Sequence, residues 1–586
     1  MNKSIDTVNI KINGIAISVP KEFTILEAAR AAHIEIPTLC YLKEINEIGA
    51  CRICVVEVKG AKTPFVAACV YPVSEGMEVL TNTQAVQDAR RITLELILSD
   101  HERKCLSCIR SSNCELQRLC WLFGVDNEVA FEGEVIETEP DDSAVHMVRS
   151  DNKCILCRRC VAVCKEQQSV GVIGTNERGF KTRVGCAFDL NLDQVACVSC
   201  GQCIVVCPTA AIHEKDQTQE VWNALNDPNK YVIAQTAPSI RATIGEDFGM
   251  PIGTDATGKM AAALRRLGFD GVYDTDFAAD LTVMEEASEL LERLESGKNL
   301  PLITSCSPGW VKYCEHYHPE YIPNLSTCKS PQQMFGAVAK TWYAEKKGIK
   351  PEDIFVVGVM PCTAKKFEVS RDDEEAVSGV PDCDVALTTR ELSRMIKRAG
   401  LDFANLPDEN FDVLLGESTG AGTIFGASGG VMEAALRTAV EWATGKESPS
   451  VDFTEVRGME GVKEATYRIG DITLNVAVAS GLRNAEEMLK RVRSGHKDYH
   501  FIEIMGCPGG CINGGGQPVQ MAHVRNFTDL KKLRAQVLYN ADRKMQRRKA
   551  HANPTIKKVY EEYFGKPGSE KAHHALHTSY QKRDHF

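Results

Sequence analysis

The 586-residue chain has 44% hydrophobic and 25% charged residues, the balance of a globular protein with several domains, which excludes general disorder, a fibrous repeat and a single small module. Its net charge of -11 excludes a general polyanion binder, because nucleic-acid binding rests on Lys and Arg neutralising phosphates. No run reaches the roughly 18–20 apolar residues of a membrane span, and the N-terminus alternates like a strand where a signal peptide has an apolar block, so the expected protein is soluble and cytoplasmic.

The 24 cysteines decide where to look. In a reducing compartment, cysteines at short fixed spacings read as metal ligands before disulfides. Seventeen of them lie before residue 208 and seven in the remaining 379 residues, which predicts an N-terminal metal-rich part and a larger C-terminal part.

Along the chain, VNIKINGIAISVP alternates around Asn13-Gly14, a hairpin signal, and TILEAARAAHI reads as a helix. They frame Cys40, Cys51, Cys54 and Cys69 in a C-x10-C-x2-C-x14-C pattern. Four thiolates in a small α+β unit point to a 2Fe-2S ferredoxin-like (β-grasp) domain over residues 1–84, with structural zinc as the rival. Residues 85–133 open with a helix, AVQDARRITLELIL, and then carry His101, Cys105, Cys108 and Cys114 in H-x3-C-x2-C-x5-C order, a small His/Cys cluster domain for one 4Fe-4S group. Exchanging one thiolate for neutral imidazole removes a negative charge, about 4 kcal/mol at 4 Å and a dielectric of 20, and raises the potential by roughly 0.2 V.

The acidic stretch FEGEVIETEPDDS reads as a linker. Residues 134–216 then repeat one motif, CILCRRCVAVC and CVSCGQCIVVC. Cys154, Cys157, Cys160 and Cys164, with Cys197, Cys200, Cys203 and Cys207 before Pro208, have the spacing of two-cluster bacterial ferredoxins, in which the fourth cysteine of each run serves the other cluster. Cys207 is therefore assigned with Cys154, Cys157 and Cys160, and Cys164 with Cys197, Cys200 and Cys203.

From 217 onward, apolar runs alternate with helical segments, an α/β domain over 217–586. PLITSC, DIFVVGVMPC and YHFIEIMGC end in Cys306, Cys362 and Cys507, and ligands of open α/β sheets gather beyond the carboxyl ends of strands. Cys120, Cys186, Cys314, Cys328 and Cys383 fit no motif and are expected to be structural thiols. GAGTIFGASGG lacks the G-x-G-x-x-G order of a dinucleotide site, so NAD(P) and flavin chemistry is expected on another subunit. The segment from about 541 has eleven Lys or Arg against five Asp or Glu and reads as a solvated helical face with the capacity to dock an acidic partner.

The segments TSCSPGW (304–310), VMPCTAKKFE (359–368) and MGCPGGCINGGGQP (505–518) resemble the three signature loops of the FeFe-hydrogenases, of the type with four accessory clusters, including catalytic subunits of NADP-reducing hydrogenases. The resemblance implies an α+β multidomain enzyme whose hydrogenase domain carries its active site between two lobes. The implied cofactors are one 2Fe-2S cluster, three accessory 4Fe-4S clusters and an H-cluster, a 4Fe-4S cubane joined to a diiron unit with carbon monoxide, cyanide and azadithiolate ligands. The implied reaction is reversible reduction of protons to H2, with electrons exchanged with ferredoxin or with NAD(P)- and flavin-binding subunits, and with maturation proteins as further partners.

On this chain the resemblance makes Cys362, Cys507 and Cys511 cubane ligands, with Cys511 the bridge. By position Cys306 matches a proton-shuttling thiol and Ser307 a cubane ligand, whereas thiolate chemistry favours Cys306 as the ligand, since an alkoxide is harder and less acidic. Glu286, Glu289, Arg293 and Ser326 match a proton path, Lys365 a cyanide-contacting lysine, and Pro238, Ser239, Gln332, Met360 and Met505 the pocket. Without the loops, Glu286, Glu289 and Arg293 would read as charge pairs on a solvated helix. The competing function is a non-catalytic iron-sulfur relay or assembly protein built on the same modules.

Overall fold

The computed structural model describes residues 6–126, 131, 137–447, 451–469 and 472–585. The core of the predicted linker, residues 132–136, and with it the 133/134 domain boundary, lies outside the described residues.

At the N-terminus, β1 (Thr7–Ile12) and β2 (Ile15–Pro20) pair antiparallel. Asn13 and Gly14 turn the chain with φ of 51° and 84°, the pair of positive values that a two-residue hairpin of this hand needs. β3 (Val55–Val58), β4 (Val66–Ala67) and β5 (Glu78–Leu80) complete a sheet in the order β2-β1-β5-β3-β4. Val8, Ile10 and Ile12 alternate inward onto the helix Ile25–Ala31, which starts at a reciprocal Thr24/Glu27 cap. The predicted second helix runs Gln84–Leu98 and packs on Glu115–Phe123 through Leu94, Leu98, Leu116 and Leu119.

The repeated cysteine motif folds as two copies of one unit. Leu156 and Arg158 in the first, Ser199 and Gly201 in the second, take left-handed φ of 54° to 66°, and the short helices Arg159–Ala162 and Gln202–Val206 follow. Two small ladders flank them, β6 (Met147–Arg149) with β9 (Ile212–Glu214) and β7 (Gly174–Asn176) with β8 (Arg183–Gly185).

The C-terminal part contains two sheets. One is all parallel, β11-β10-β13-β14, built from β10 (Tyr231–Thr236), β11 (Gly271–Asp274), β13 (Ile354–Met360) and β14 (Val385–Thr388). Its strands are nearly continuous apolar runs, as strands buried on both faces must be. The other, β12-β17-β16-β15, pairs β12 (Leu302–Ile303), β17 (Phe501–Met505) and β16 (Ile472–Ser480) in parallel and ends in the hairpin partner β15 (Val462–Ile469). The three cysteine-terminated runs are thus divided between two sheets, with Cys362 on one and Cys306 and Cys507 on the other, and their carboxyl ends point into the same gap.

For the charged segments, the structure excludes the solvated-helix alternative and corrects one expectation, that of the basic C-terminal segment. The long helix Asp276–Ser296 is no solvated helix: Glu285 and Glu286 are 1% exposed and Arg293 is buried, because the helix packs against core helices on several sides. The basic C-terminal segment is no free helical face either. Arg548 pairs with Asp542 at 2.6 Å, Lys549 with Glu441, and Arg583 with Glu315 at 2.6 Å, so much of its charge is met within this chain.

Arg159, 1% exposed, joins the N-terminal units. Its guanidinium forms two bonds to Glu115, of 2.7 and 3.0 Å, and donates to the carbonyls of Cys40 and Val206. Removing one partner of a buried pair leaves the other uncompensated. Arg159→Ala is therefore expected to cost about 3–5 kcal/mol of stability, whereas Arg159→Met combined with Glu115→Leu costs much less; anaerobic thermal unfolding of both variants checks this, and equal losses would contradict it.

Candidate active site and accessory metal centres

The N-terminal sulfurs gather in distinct sites. Cys54 and Cys69 bring their sulfurs to 3.3 Å, and hydrogen bonding from Cys51 lowers the Cys40 thiol. Cys154, Cys157, Cys160 and Cys207 line one cavity, while Cys164, Cys197, Cys200 and Cys203 line a second of the same size, about 390 Å³ each. The exchange of fourth cysteines assigned from spacing is therefore how the chain is arranged.

His101 is buried, which lowers it to about 4 and keeps the imidazole neutral, and its Nδ1 has no hydrogen-bond partner. A neutral imidazole with an unused buried nitrogen suits a metal ligand. The zinc rival fares poorly in all these sets. Ligand atoms around one zinc sit roughly 3.8 Å apart given bonds of about 2.3 Å, and among the described residues the only set of three or more ligand atoms all within 4.8 Å of one another lies elsewhere, at Glu289, Cys328 and His577. Wider thiol sets suit multi-iron clusters.

The sites adjoin one another. Asn46 Nδ2 donates to the carbonyls of both Cys40 and Cys157, at 2.8 and 3.0 Å. Arg110 reaches the Cys207 carbonyl at 3.3 Å, and Cys114 Sγ lies 3.6 Å from the Pro208 carbonyl. Two N-terminal sites thus meet the first cavity. From the second cavity, Gln202 Nε2 donates to the Asn513 carbonyl (2.9 Å) and Thr363 Oγ1 to the Ser199 carbonyl (2.8 Å). A Cβ at Gly515 would sit 2.3 Å from the Cys200 carbonyl, so only glycine lets these loops touch. His146 Nε2 stands 3.8 Å from Cys197 Sγ.

The gap between the two sheets is a cavity of about 700 Å³. Cys306, Ser307, Cys362, Lys365, Cys507 and Cys511 line it, together with Pro238, Gln332, Met360 and Met505. Ser239, buried between Pro238 and Gly426 of the lining, accepts a 3.3 Å hydrogen bond from Gln517. Burial raises the thiols of Cys306, Cys362, Cys507 and Cys511, the last to about 12. Four thiols sharing one dry cavity are costly to ionise unless a metal compensates them.

Other features fit a bulky anionic group. A Cβ on Gly514 would lie 2.1 Å from the Pro361 carbonyl and one on Gly510 2.7 Å from Ser428 N, so the loop around Cys511 folds tightly only because these positions are glycine. Burial alone would lower Lys365, but the Glu368 carboxylate, 2.8 Å away, outweighs it and holds the ammonium charged.

Cys306 and Ser307 both line the cavity. Cys306 packs, with Cys511, against the apolar cluster that includes Val283 of the long helix and Met505, and after burial its strongest electrostatic neighbour is Glu286. Ser307 Oγ accepts from Gly506 N at 3.0 Å, next to Cys507. Behind Cys306, burial and the Glu289 charge push Glu286 up to about 8. Ser326 Oγ donates to Glu289 at 2.9 Å, and Arg293 holds Glu289 at 2.5 Å while tying down the Leu325 carbonyl.

Thr275, Phe425 and Gly426 also line the cavity and were not foreseen. Phe425 and Gly426 come from the glycine-rich GAGTIFGASGG segment, whose crowding was the available signal: a Cβ on Gly426 would fall 2.6 Å from Leu538 Cδ1. Glu368, the partner of Lys365, was legible as an i,i+3 pair in VMPCTAKKFE.

Residues 230–515 match the family described as iron only hydrogenase large subunit, C-terminal domain, and 528–583 the iron hydrogenase small subunit. Residues 6–84 match a 2Fe-2S iron-sulfur cluster binding domain, 90–128 the NADH-ubiquinone oxidoreductase-G iron-sulfur binding region, and 153–211 a 4Fe-4S dicluster domain. The NADP-reducing hydrogenase subunit HndD of Solidesulfovibrio fructosivorans is 51% identical, over 98% of this chain and 99% of its own length. The chain belongs to the iron-only hydrogenases. Iron hydrogenase 1 of Clostridium pasteurianum is 44% identical over 98% of this chain and all of its own length. A variant of the apo FeFe-hydrogenase of Chlamydomonas reinhardtii superposes with a TM-score of 0.56 at 41% identity, covering 63% of this chain and 99% of that one.

This iron-only hydrogenase is therefore a catalytic subunit with accessory 2Fe-2S and 4Fe-4S domains and an H-cluster domain, and full-length similarity to two hydrogenases decides against a non-catalytic relay. Exchanged ligand sets predict that Cys207→Ala removes the cluster of Cys154, Cys157 and Cys160, and Cys164→Ala that of Cys197, Cys200 and Cys203. Each variant should lose about four iron atoms and one electron paramagnetic resonance signal, a different one in each; loss of the same signal from both would contradict the assignment.

Proposed function

We propose that Cys362, Cys507 and Cys511 hold the H-cluster cubane, that Cys511 bridges to the diiron unit, that Ser307 stands at the fourth corner, and that Cys306 is the first proton carrier. The observation that carries this reading is the single cavity where the cysteine-terminated ends of two sheets meet. When bound, the H-cluster supplies the iron site at which two protons and two electrons combine reversibly into H2. The chain's own residues do the rest.

Lys365, held charged by Glu368 and Ser330, offsets negative charge in a dry cavity, where such a cation acts strongly. Gln332 lines the same cavity, its amide Nε2 held by Glu368. The proposed proton route runs from Cys306 to Glu286, then by Ser326 to Glu289 and Arg293. Glu286 is suited to it because a carboxyl raised to about 8 is mostly protonated at neutral pH yet exchanges readily. Ser307 is the reading best supported by position, since its hydroxyl stands on the Cys507 side while the Cys306 thiol stands toward Glu286.

We propose four accessory clusters, one on each N-terminal ligand set, with electrons entering through the 2Fe-2S and His101 sites and passing through the two ferredoxin-type cavities. A partner subunit bearing NAD(P) and flavin is the proposed electron acceptor, supported by the name of the HndD relative, with ferredoxin as the other candidate. Twenty-four cysteines without a disulfide support a reducing, cytoplasmic setting.

Two variants test the site. Cys511→Ala should abolish hydrogen production while leaving the accessory clusters visible by electron paramagnetic resonance; normal production would refute the bridge. Glu286→Gln should slow turnover by about 10²–10⁴ with iron content unchanged, and unaltered turnover would remove Glu286 from the route.

A further inference from the structure

Beyond the cavity and the accessory sites, the C-terminal segment assembles a separate set of ligand side chains. Glu289, Cys328 and His577 each offer one ligand atom within 4.8 Å of the other two. Small side-chain rotations close that spread to the roughly 3.8 Å separations around one tetrahedral ion. All three are largely buried, and they come from three distant stretches of the chain.

The backbone fixes the arrangement. Cys328 and His577 oppose each other in an antiparallel bridge, flanked by hydrogen bonds from Lys329 N to the Leu576 carbonyl and from Thr578 N to the Thr327 carbonyl, both 2.8 Å. Opposed residues in such a pair direct their side chains to one side, with Cβ atoms about 4.5–5.5 Å apart. Glu289 is shared among several partners, Oε2 already accepting from Ser326 Oγ at 2.9 Å and Thr327 N at 3.1 Å, hydrogen bonds that metal ligation has to replace. Its Oε1 takes Arg293, and its Oε2 lies 3.7 Å from Cys328 Sγ.

His577 is oriented as metal-binding histidines are. Its Nε2 lies 3.1 Å from the Glu285 carboxylate, which is itself held by Tyr560 Oη at 2.5 Å and Gly568 N at 2.9 Å. A carboxylate on one ring nitrogen fixes the tautomer and makes the other an acceptor; here that is Nδ1, which takes the Thr327 hydroxyl at 2.8 Å, a hydrogen bond that an incoming ion has to displace. One sulfur, one imidazole and one carboxylate make a donor set for a borderline-soft divalent ion, zinc above magnesium or calcium.

We propose that Glu289, Cys328 and His577 form a zinc-class cation site which, when filled, withdraws Glu289 from proton transfer and slows the enzyme. Binding expels the Cys328 thiol proton, since only the thiolate is a ligand, and the ion fastens the C-terminal segment to the Leu325–Cys328 loop. The inhibitory half rests on the proton route proposed above; the binding half does not.

The test titrates zinc sulfate into anaerobic, fully matured enzyme and reads zinc binding, zinc K-edge X-ray absorption and hydrogen turnover. The expected result is one zinc per chain with one sulfur scatterer at about 2.3 Å and a fall in turnover that tracks occupancy. Cys328→Ser and His577→Gln should each weaken zinc binding at least tenfold and relieve the inhibition to the same extent. Zinc bound without sulfur, or with undiminished affinity in both variants, would overturn the site. Zinc bound through sulfur with turnover unchanged would overturn the inhibitory half and place the fault in the proton route through Glu289, leaving the binding half standing.

Discussion

A guanidinium sealed from water at the meeting point of the N-terminal units is the contact on which the electron-carrying half depends. Arg159 binds the carbonyl of Cys40 and that of Val206, just before Cys207, while Glu115, next to Cys114, supplies the counter-charge. Glu115 also accepts from Ala522 N of the C-terminal part. Rigid spacing between metal sites is what an electron path needs, and a buried ion pair with every bond assigned provides it at the cost of desolvation. Its net contribution to stability is modest; its contribution to geometry is large.

The catalytic cavity obeys a related constraint, since electrons and protons must reach the same buried place without sharing a path. The ferredoxin-like unit touches the cysteine loops at Gly201, Gly515 and Thr363, the side proposed for electron entry. The side chains proposed to carry protons include Glu286, Glu289 and Arg293 of the long helix. Burial serves both, raising Glu286 into the range where a carboxyl carries protons and drying the walls around Lys365. The triad of Glu289, Cys328 and His577 lies at the outer end of that proton side, where a cation would act on protons and not on electrons.

Much of this was legible in the sequence where chemistry is local. Ligand spacing and the duplicated motif gave the two ferredoxin-type sets, including the exchange of Cys164 and Cys207, because three of the four cysteines of each set lie a few positions apart and the repeat supplies the fourth from the other copy. Strands ending in Cys306, Cys362 and Cys507 revealed the cavity. What the sequence hid depends on contacts between distant segments. The division of those strands between two sheets, the burial of Arg159, and the pairing of Cys328 with His577 across about 250 residues have no local signature. Charge misled at the basic tail, which read as a solvated face although Arg548 meets nearby Asp542 and Lys549 and Arg583 meet the distant Glu441 and Glu315.

The central claim is that the cavity between the two sheets holds an H-cluster. The most direct test is an infrared spectrum of the anaerobic protein, coexpressed with hydrogenase maturation proteins, in the region of iron-bound carbon monoxide and cyanide stretches. The account predicts bands there from the wild-type protein. Their absence, with a control hydrogenase matured in the same cells and the iron-sulfur absorption intact, would contradict it and leave a chain that only relays electrons.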